Sequence, residues 1–154
     1  MGMLPDGEVK RISETNKLTR AEVYRIRAIF ASMTKLSRHT GSKGLNIDFF
    51  IKNCSFLNRA LPDIAHRVLK ASGLDTDNSR AVVDWDTFLK LYCIFEAGSV
   101  ERAKLIQFWI KFFDINLKGV CPEEEYLDIL EKLIRGVCMK QKSEFTTVFA
   151  SNYQ

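Results

Sequence analysis

The sequence predicts an all-α protein made of three helix–loop–helix units. Three observations carry this. Apolar residues recur at helical spacing, as in Val23, Ile26, Phe30 and Met33. The same apolar pattern returns with a 38-residue period. Only three prolines and eight glycines occur in 154 residues, too few for a turn-rich sandwich.

The repeat is gapless. Phe30, Val68 and Ile106 fall in register, as do Met33, Ala71 and Trp109, then Leu36, Leu74 and Phe112. Leu45, Val83 and Cys121 follow, then Phe50, Phe88 and Tyr126, and finally Leu57, Phe95 and Leu133. In each unit a helical stripe precedes a polar stretch of about a dozen residues, and a second stripe follows it. Leu45, Val83 and Cys121 sit near the end of each polar stretch. They are expected to form the short strands by which adjacent loops pair, with the third unit left without an obvious mate.

Each helix has a local start signal. Thr19 and Glu22 have capping-box spacing before the first stripe. Pro62 suits the first turn of the third helix. Asp84 and Ser99 are N-cap candidates for the fourth and fifth. Pro122 followed by Glu123, Glu124 and Glu125 opens the sixth with charges that favour the helix dipole. Six main helices result. Phe145, Val148 and Phe149, at i, i+3 and i+4, fit a seventh in the tail. The expected organisation is an N-terminal extension at 1–17, paired units at 18–97, a third unit at 98–138 and a tail at 139–154.

Composition excludes several classes. Apolar residues make up 46% and charged residues 27%, which describes a foldable chain. No run of about 18 apolar residues is present to span a membrane, and the first residues lack the apolar core of a secretory signal. Net charge is +4. Residues 1–45 hold nine Lys/Arg against four Asp/Glu, a mild basic bias too dispersed to argue nucleic-acid binding. Cys54, Cys93, Cys121 and Cys138 lie far apart, as expected of reduced thiols in an intracellular protein. His39 and His66 are the only histidines, and no Gly-rich phosphate loop, Ser/His/Asp order or Cys/His pairing emerges. The expectation is a protein that is not an enzyme.

The third loop carries the one candidate metal site. It runs from Asp114 through Asn116, Lys118, Gly119, Val120 and Pro122 to Glu125. This is similar to the EF-hand calcium loop, with Asp at position 1, Asn at 3, Gly at 6 and Glu at 12. Asp114 and Asn116 offer short oxygen ligands, Gly119 allows the sharp turn, Val120 offers a backbone carbonyl, and Glu125 offers two oxygens from the outgoing helix. Lys118 at position 5 and Pro122 at position 9 supply no ligand, so any Ca2+ here is expected to be weak, no better than about 10⁻⁴ M. In the second loop positions 1, 3, 5, 6 and 12 are Thr76, Asn78, Arg80, Ala81 and Thr87. A start at Asp75, with Asp77 and Ser79, is more acidic but lacks the closing Glu. In the first loop those positions are Arg38, Thr40, Ser42, Lys43 and Phe49, which cannot ligate a cation.

The stretch Trp85–Leu91, the link Phe95–Glu101 with Gly98-Ser99-Val100-Glu101, and Phe112–Gly119 together resemble the middle of calaxin and the neuronal calcium sensors. The resemblance covers roughly residues 18–136. It implies EF-hand adaptors that bind helices of larger partners and, for calaxin-like members, ciliary dynein machinery. This sequence departs from the family in its second loop and in lacking a complete fourth hand. EF-hand pairs open an apolar groove for a partner helix, and Phe50, Phe56, Leu57, Tyr92, Phe95, Trp109 and Phe113 are the candidates to line it. The expected function is a non-catalytic adaptor in the cytoplasm, cilium or cytoskeleton. Its partner is an amphipathic helix of a larger protein, an axonemal or microtubule-associated complex, or a second copy meeting the third unit. The alternative is a calcium sensor acting through Asp114, Asn116, Val120 and Glu125.

Overall fold

A computed structural model describes residues 3–37 and 44–135. The order is α1 (Asp6–Asn16), α2 (Arg20–Leu36), β1 (Leu45–Asn46), α3 (Ile47–Asn53), α4 (Pro62–Ala71), β2 (Val82–Val83), α5 (Trp85–Tyr92) with a π-helical turn at Cys93–Ala97, α6 (Arg102–Phe113) and α7 (123–135). The expected tail helix at Phe145, Val148 and Phe149, with Cys138, His39, Arg38, Thr40, Ser42 and Lys43, lies outside the described residues.

Cap chemistry sets most of the starts. Thr19 Oγ1 accepts from Glu22 N at 3.1 Å while Glu22 Oε2 accepts from Thr19 N at 2.7 Å, closing the box that starts α2. Asp84 Oδ1 accepts from Thr87 N at 2.8 Å, and Pro62 occupies the first turn of α4. Tyr126 N donates to Pro122 O at 2.9 Å, so α7 opens where the proline and three glutamates predict. Two expectations fail. Ser99 caps nothing: α6 begins later, with Glu101 at its N-cap and no side-chain cap bond. Residues 6–16, read as an extension without an element, form α1. It is stopped by Lys17 in the left-handed region (φ 55°) and packs on α2 through Val9 and Ile12.

Leu45 pairs with Val83 and Asn46 with Val82 in an antiparallel ladder. The residues that the repeat aligns are therefore the ones that meet, and both Leu45 and Val83 are fully buried. Gly44 precedes β1 because its neighbour leaves no room: a Cβ there would lie 2.6 Å from Val83 O. Cys121, the third member of the column, forms no strand.

The core is an aromatic chain that runs the length of the described fold. Phe30 stacks on Phe88 at 5.2 Å, Phe88 meets Phe50 edge-on at 6.0 Å, and Phe56 stacks on Phe95 at 5.5 Å. Phe95 then meets Trp109 at 6.2 Å, Trp109 meets Phe112 at 5.1 Å, and Phe113 meets Tyr126 at 5.3 Å. Such contacts add about 0.5–1.5 kcal/mol each beyond area burial.

The repeat's columns are buried unequally. Phe30, Val68, Met33, Ala71, Phe50 and Phe88 are buried, but their counterparts Ile106 and Tyr126 in the third unit are 49% and 42% exposed. Among the described residues, seven of eleven exposed large apolar side chains lie in that unit: Ile106, Ile110, Leu117, Val120, Tyr126, Leu127 and Ile134. The first two units bury their stripes against each other; the third packs only one side of its helices on α4 and the π-helical turn.

Candidate functional site

The third loop begins where α6 ends. Asp114 sits at the C-cap, its N–H donating to Ile110 O at 2.9 Å. Its carboxylate then curls the chain back on itself: Oδ1 accepts from Lys118 N and Oδ2 from Gly119 N, both at 2.9 Å. Gly119 takes φ 77°, the turn for which a glycine was expected at position 6, and Leu117 is forced to φ 56°. Asn116, Lys118 and Val120 are exposed.

The last candidate ligand is already engaged. Glu125 Oε1 accepts from Arg67 Nη2 at 2.8 Å, and the same nitrogen donates to Phe113 O at 2.9 Å. Arg67 Nε donates to Phe112 O. The guanidinium lies over the Phe112 ring, and its side chain is only 16% exposed. One arginine of α4 thus satisfies two carbonyls at the end of α6 and a carboxylate at the start of α7. A planar fork with five donors can do this; a lysine cannot. One turn earlier on the same face of α4, Asp63 accepts from Lys132 at 2.7 Å. Lys132 also meets Asp128 at 3.0 Å. The Lys132 hydrogen bond and charge hold the Asp63 carboxyl below its usual range, while Asp63 and then Asp128 push the Lys132 ammonium up. Since 63 pairs with 132 and 67 with 125, α4 and α7 run antiparallel.

The second loop satisfies itself. Asp75 Oδ1 accepts from Asp77 N at 3.2 Å, Asn78 Oδ1 from Arg80 N at 3.0 Å, and Asp77 pairs with Lys70 at 3.3 Å. These are Asx turns, the ordinary use of such residues in loops. Thr87, at position 12, is committed to capping α5 through its N–H. Among the described residues no group of three or more His, Cys, Asp or Glu stands close enough together to hold a metal ion.

The seven predicted partner-facing residues divide. Phe50 and Leu57 are buried core, 0% and 2% exposed, because Phe50 is wedged between Phe88 and Phe56 and Leu57 follows α3 into the interior. Neither has surface to offer a partner in this conformation. Phe56, Tyr92, Phe95, Trp109 and Phe113 are half-buried. Phe56 and Tyr92 share a cavity of about 240 Å³ with Ile29, Met33, Cys54 and Phe88. Sequence reading missed Ile29 as a lining residue; it sits one position off the α2 stripe, on its exposed flank. Burial pushes the Cys54 thiol up to about 12. Cys54, Cys93 and Cys121 are free thiols.

No family model, curated protein or solved structure matches the chain. Among the described residues no helix is long and apolar enough to cross a membrane.

Proposed function

We propose that the chain is a non-catalytic adaptor: a degenerate EF-hand protein that holds an amphipathic helix of a larger partner on apolar helix faces, with calcium binding weak or lost. The observation that carries the reading is the apolar surface concentrated on the third unit, where seven large side chains stand in water. Monomers rarely leave such a patch uncovered unless something binds there. The half-buried Trp109 and Phe113 on α6 border it and supply the aromatic anchors that helix-binding grooves use. The resemblance to calaxin and the neuronal calcium sensors extends the proposal to a ciliary dynein or cytoskeletal assembly in the cytoplasm. The mildly basic first third suits an acidic surface there. The test is capture from ciliated-cell extract by the full chain and by an Ile106→Glu/Ile110→Glu variant, in calcium and in chelator. The reading requires the same partner in both media with the full chain, and its loss with the variant. Equal capture by the variant defeats it.

A calcium sensor acting through Asp114, Asn116, Val120 and Glu125 is the second reading. It is favoured by one observation, the Asp114 carboxylate that already curls the loop around Lys118 N and Gly119 N. Calcium would have to take Glu125 from Arg67. A charged hydrogen bond worth about 1.5–3 kcal/mol implies roughly ten- to hundredfold weaker binding than a loop without that competitor. Calorimetry at millimolar calcium decides it, with Glu125→Gln as the control.

A further inference from the structure

A second cavity, of about 400 Å³, lies on the other side of α5, where the π-helical turn, the link and α6 converge. Its floor is apolar: Leu89, Cys93 and Phe108 are all buried. Its rim is not. Lys90 comes from α5, and Lys104 and Lys111 come from α6, seven residues apart on the face that also carries Phe108. Asp86 and Glu101 share the rim, but none of the three lysines makes an ion pair with a described residue at 4.0 Å or less. Lys90 donates only to Ser72 O, at 3.3 Å. Ser99 Oγ, also lining the cavity, is shielded from water without a hydrogen-bond partner.

We propose that this cavity binds a small organic anion with an apolar body, of the medium-chain carboxylate class. The headgroup sits among Lys90, Lys104 and Lys111, and the hydrocarbon lies on Leu89, Cys93 and Phe108. The charge arrangement is what calls for an anion. Desolvation, and then the charge of Lys111, lower the Lys90 pKa, so the two ammonium groups repel across a partly dry space with no carboxylate between them. The volume falls within the range of about 300–1,000 Å³ typical of small-molecule sites, and an apolar lining with few convergent polar groups is their usual construction. An anion without hydrocarbon would leave the floor bare, and hydrocarbon without charge would leave the lysines uncompensated.

The experiment uses the full chain and three probes, octanoate, inorganic phosphate and octanol, followed by amide NMR. Octanoate is expected to shift the resonances of residues 89–93, 99–101 and 104–111 and to bind at least tenfold tighter than either other probe. A Lys90→Gln/Lys111→Gln variant is expected to lose at least tenfold in octanoate affinity. Lys111→Arg, which keeps the charge, is expected to retain it. The exposed Lys104→Gln gives an intermediate loss and guards against a variant that fails to fold. Octanol binding as tightly as octanoate, phosphate binding as tightly, unchanged affinity in the double variant, or shifts confined to the Phe56–Tyr92 cavity each overturn the proposal.

Discussion

Arg67 and Glu125 lie 58 positions apart and meet at 2.8 Å, with the same guanidinium reaching the backbone of Phe112 and Phe113. A side chain of the second unit therefore grips both ends of the third loop. Arg67→Leu strands two carbonyls and a half-buried carboxylate, and is expected to destabilise the fold by about 2–3 kcal/mol. Glu125→Gln keeps the shape and removes the charge, and should cost about 1 kcal/mol. Urea unfolding followed by circular dichroism measures both.

The same contact predicts a gain. Arg67→Gln frees the Glu125 carboxylate, so any calcium response of the loop should strengthen about tenfold or more. Calorimetry on Arg67→Gln at millimolar calcium reads this directly. Less heat than the unaltered chain, or none, would show that Arg67 is not the competitor.

The ladder makes Gly44 irreplaceable. A Cβ 2.6 Å from Val83 O meets backbone, which cannot swing away, so Gly44→Ala is expected to cost about 1–3 kcal/mol. A serine at the nearby exposed Gly7, where a Cβ meets nothing within 4 Å, is the comparison and should change little. Thermal melts of the two variants separate the effects.

Much of this fold was legible in the residues. The Leu45–Val83 pair followed from a 38-residue register, and the caps at Thr19, Pro62 and Asp84 followed from chemistry within one turn, where sequence neighbours are spatial neighbours. The failures have the opposite character. Ile106 and Tyr126 align with Phe30–Val68 and Phe50–Phe88 yet stand exposed, since a periodic stripe declares an apolar face without saying whether a mate exists to cover it. Arg67 was invisible as a rival for Glu125 because nothing in its local sequence points 58 residues downstream. The first helix had a usable signal that went unread: Asp6 and Glu8 in the first turn, with Val9 and Ile12 one turn apart.

Titration supplies a pH prediction. The Asp63 carboxyl is held low by Lys132, so its contribution to stability is present above the unfolded carboxylate pKa and is lost as pH falls through the still lower folded value. Carboxyl NMR should find Asp63 titrating below an ordinary aspartate. Lys132→Gln should move it upward toward that ordinary value. An unchanged midpoint would show that the pair does not form in solution.

Thiol chemistry gives the last. Cys54 is buried and its pKa is raised to about 12, so iodoacetamide at pH 8 should leave it intact in the folded chain while the more accessible Cys121 is alkylated. Peptide mass mapping after a timed quench distinguishes them.

The wide turn at Cys93–Ala97 has a consequence for how this molecule can change over time. Its hydrogen bonds span five residues where an ordinary helical turn spans four, so it holds one surplus residue, and Gly98 halts it directly after. Deleting a single codon there would restore a regular spiral and swing everything downstream through about 100°. Phe95 would no longer bridge Phe56 to Trp109. The smallest edit in the gene is thus also the one that would re-aim the final third of the protein.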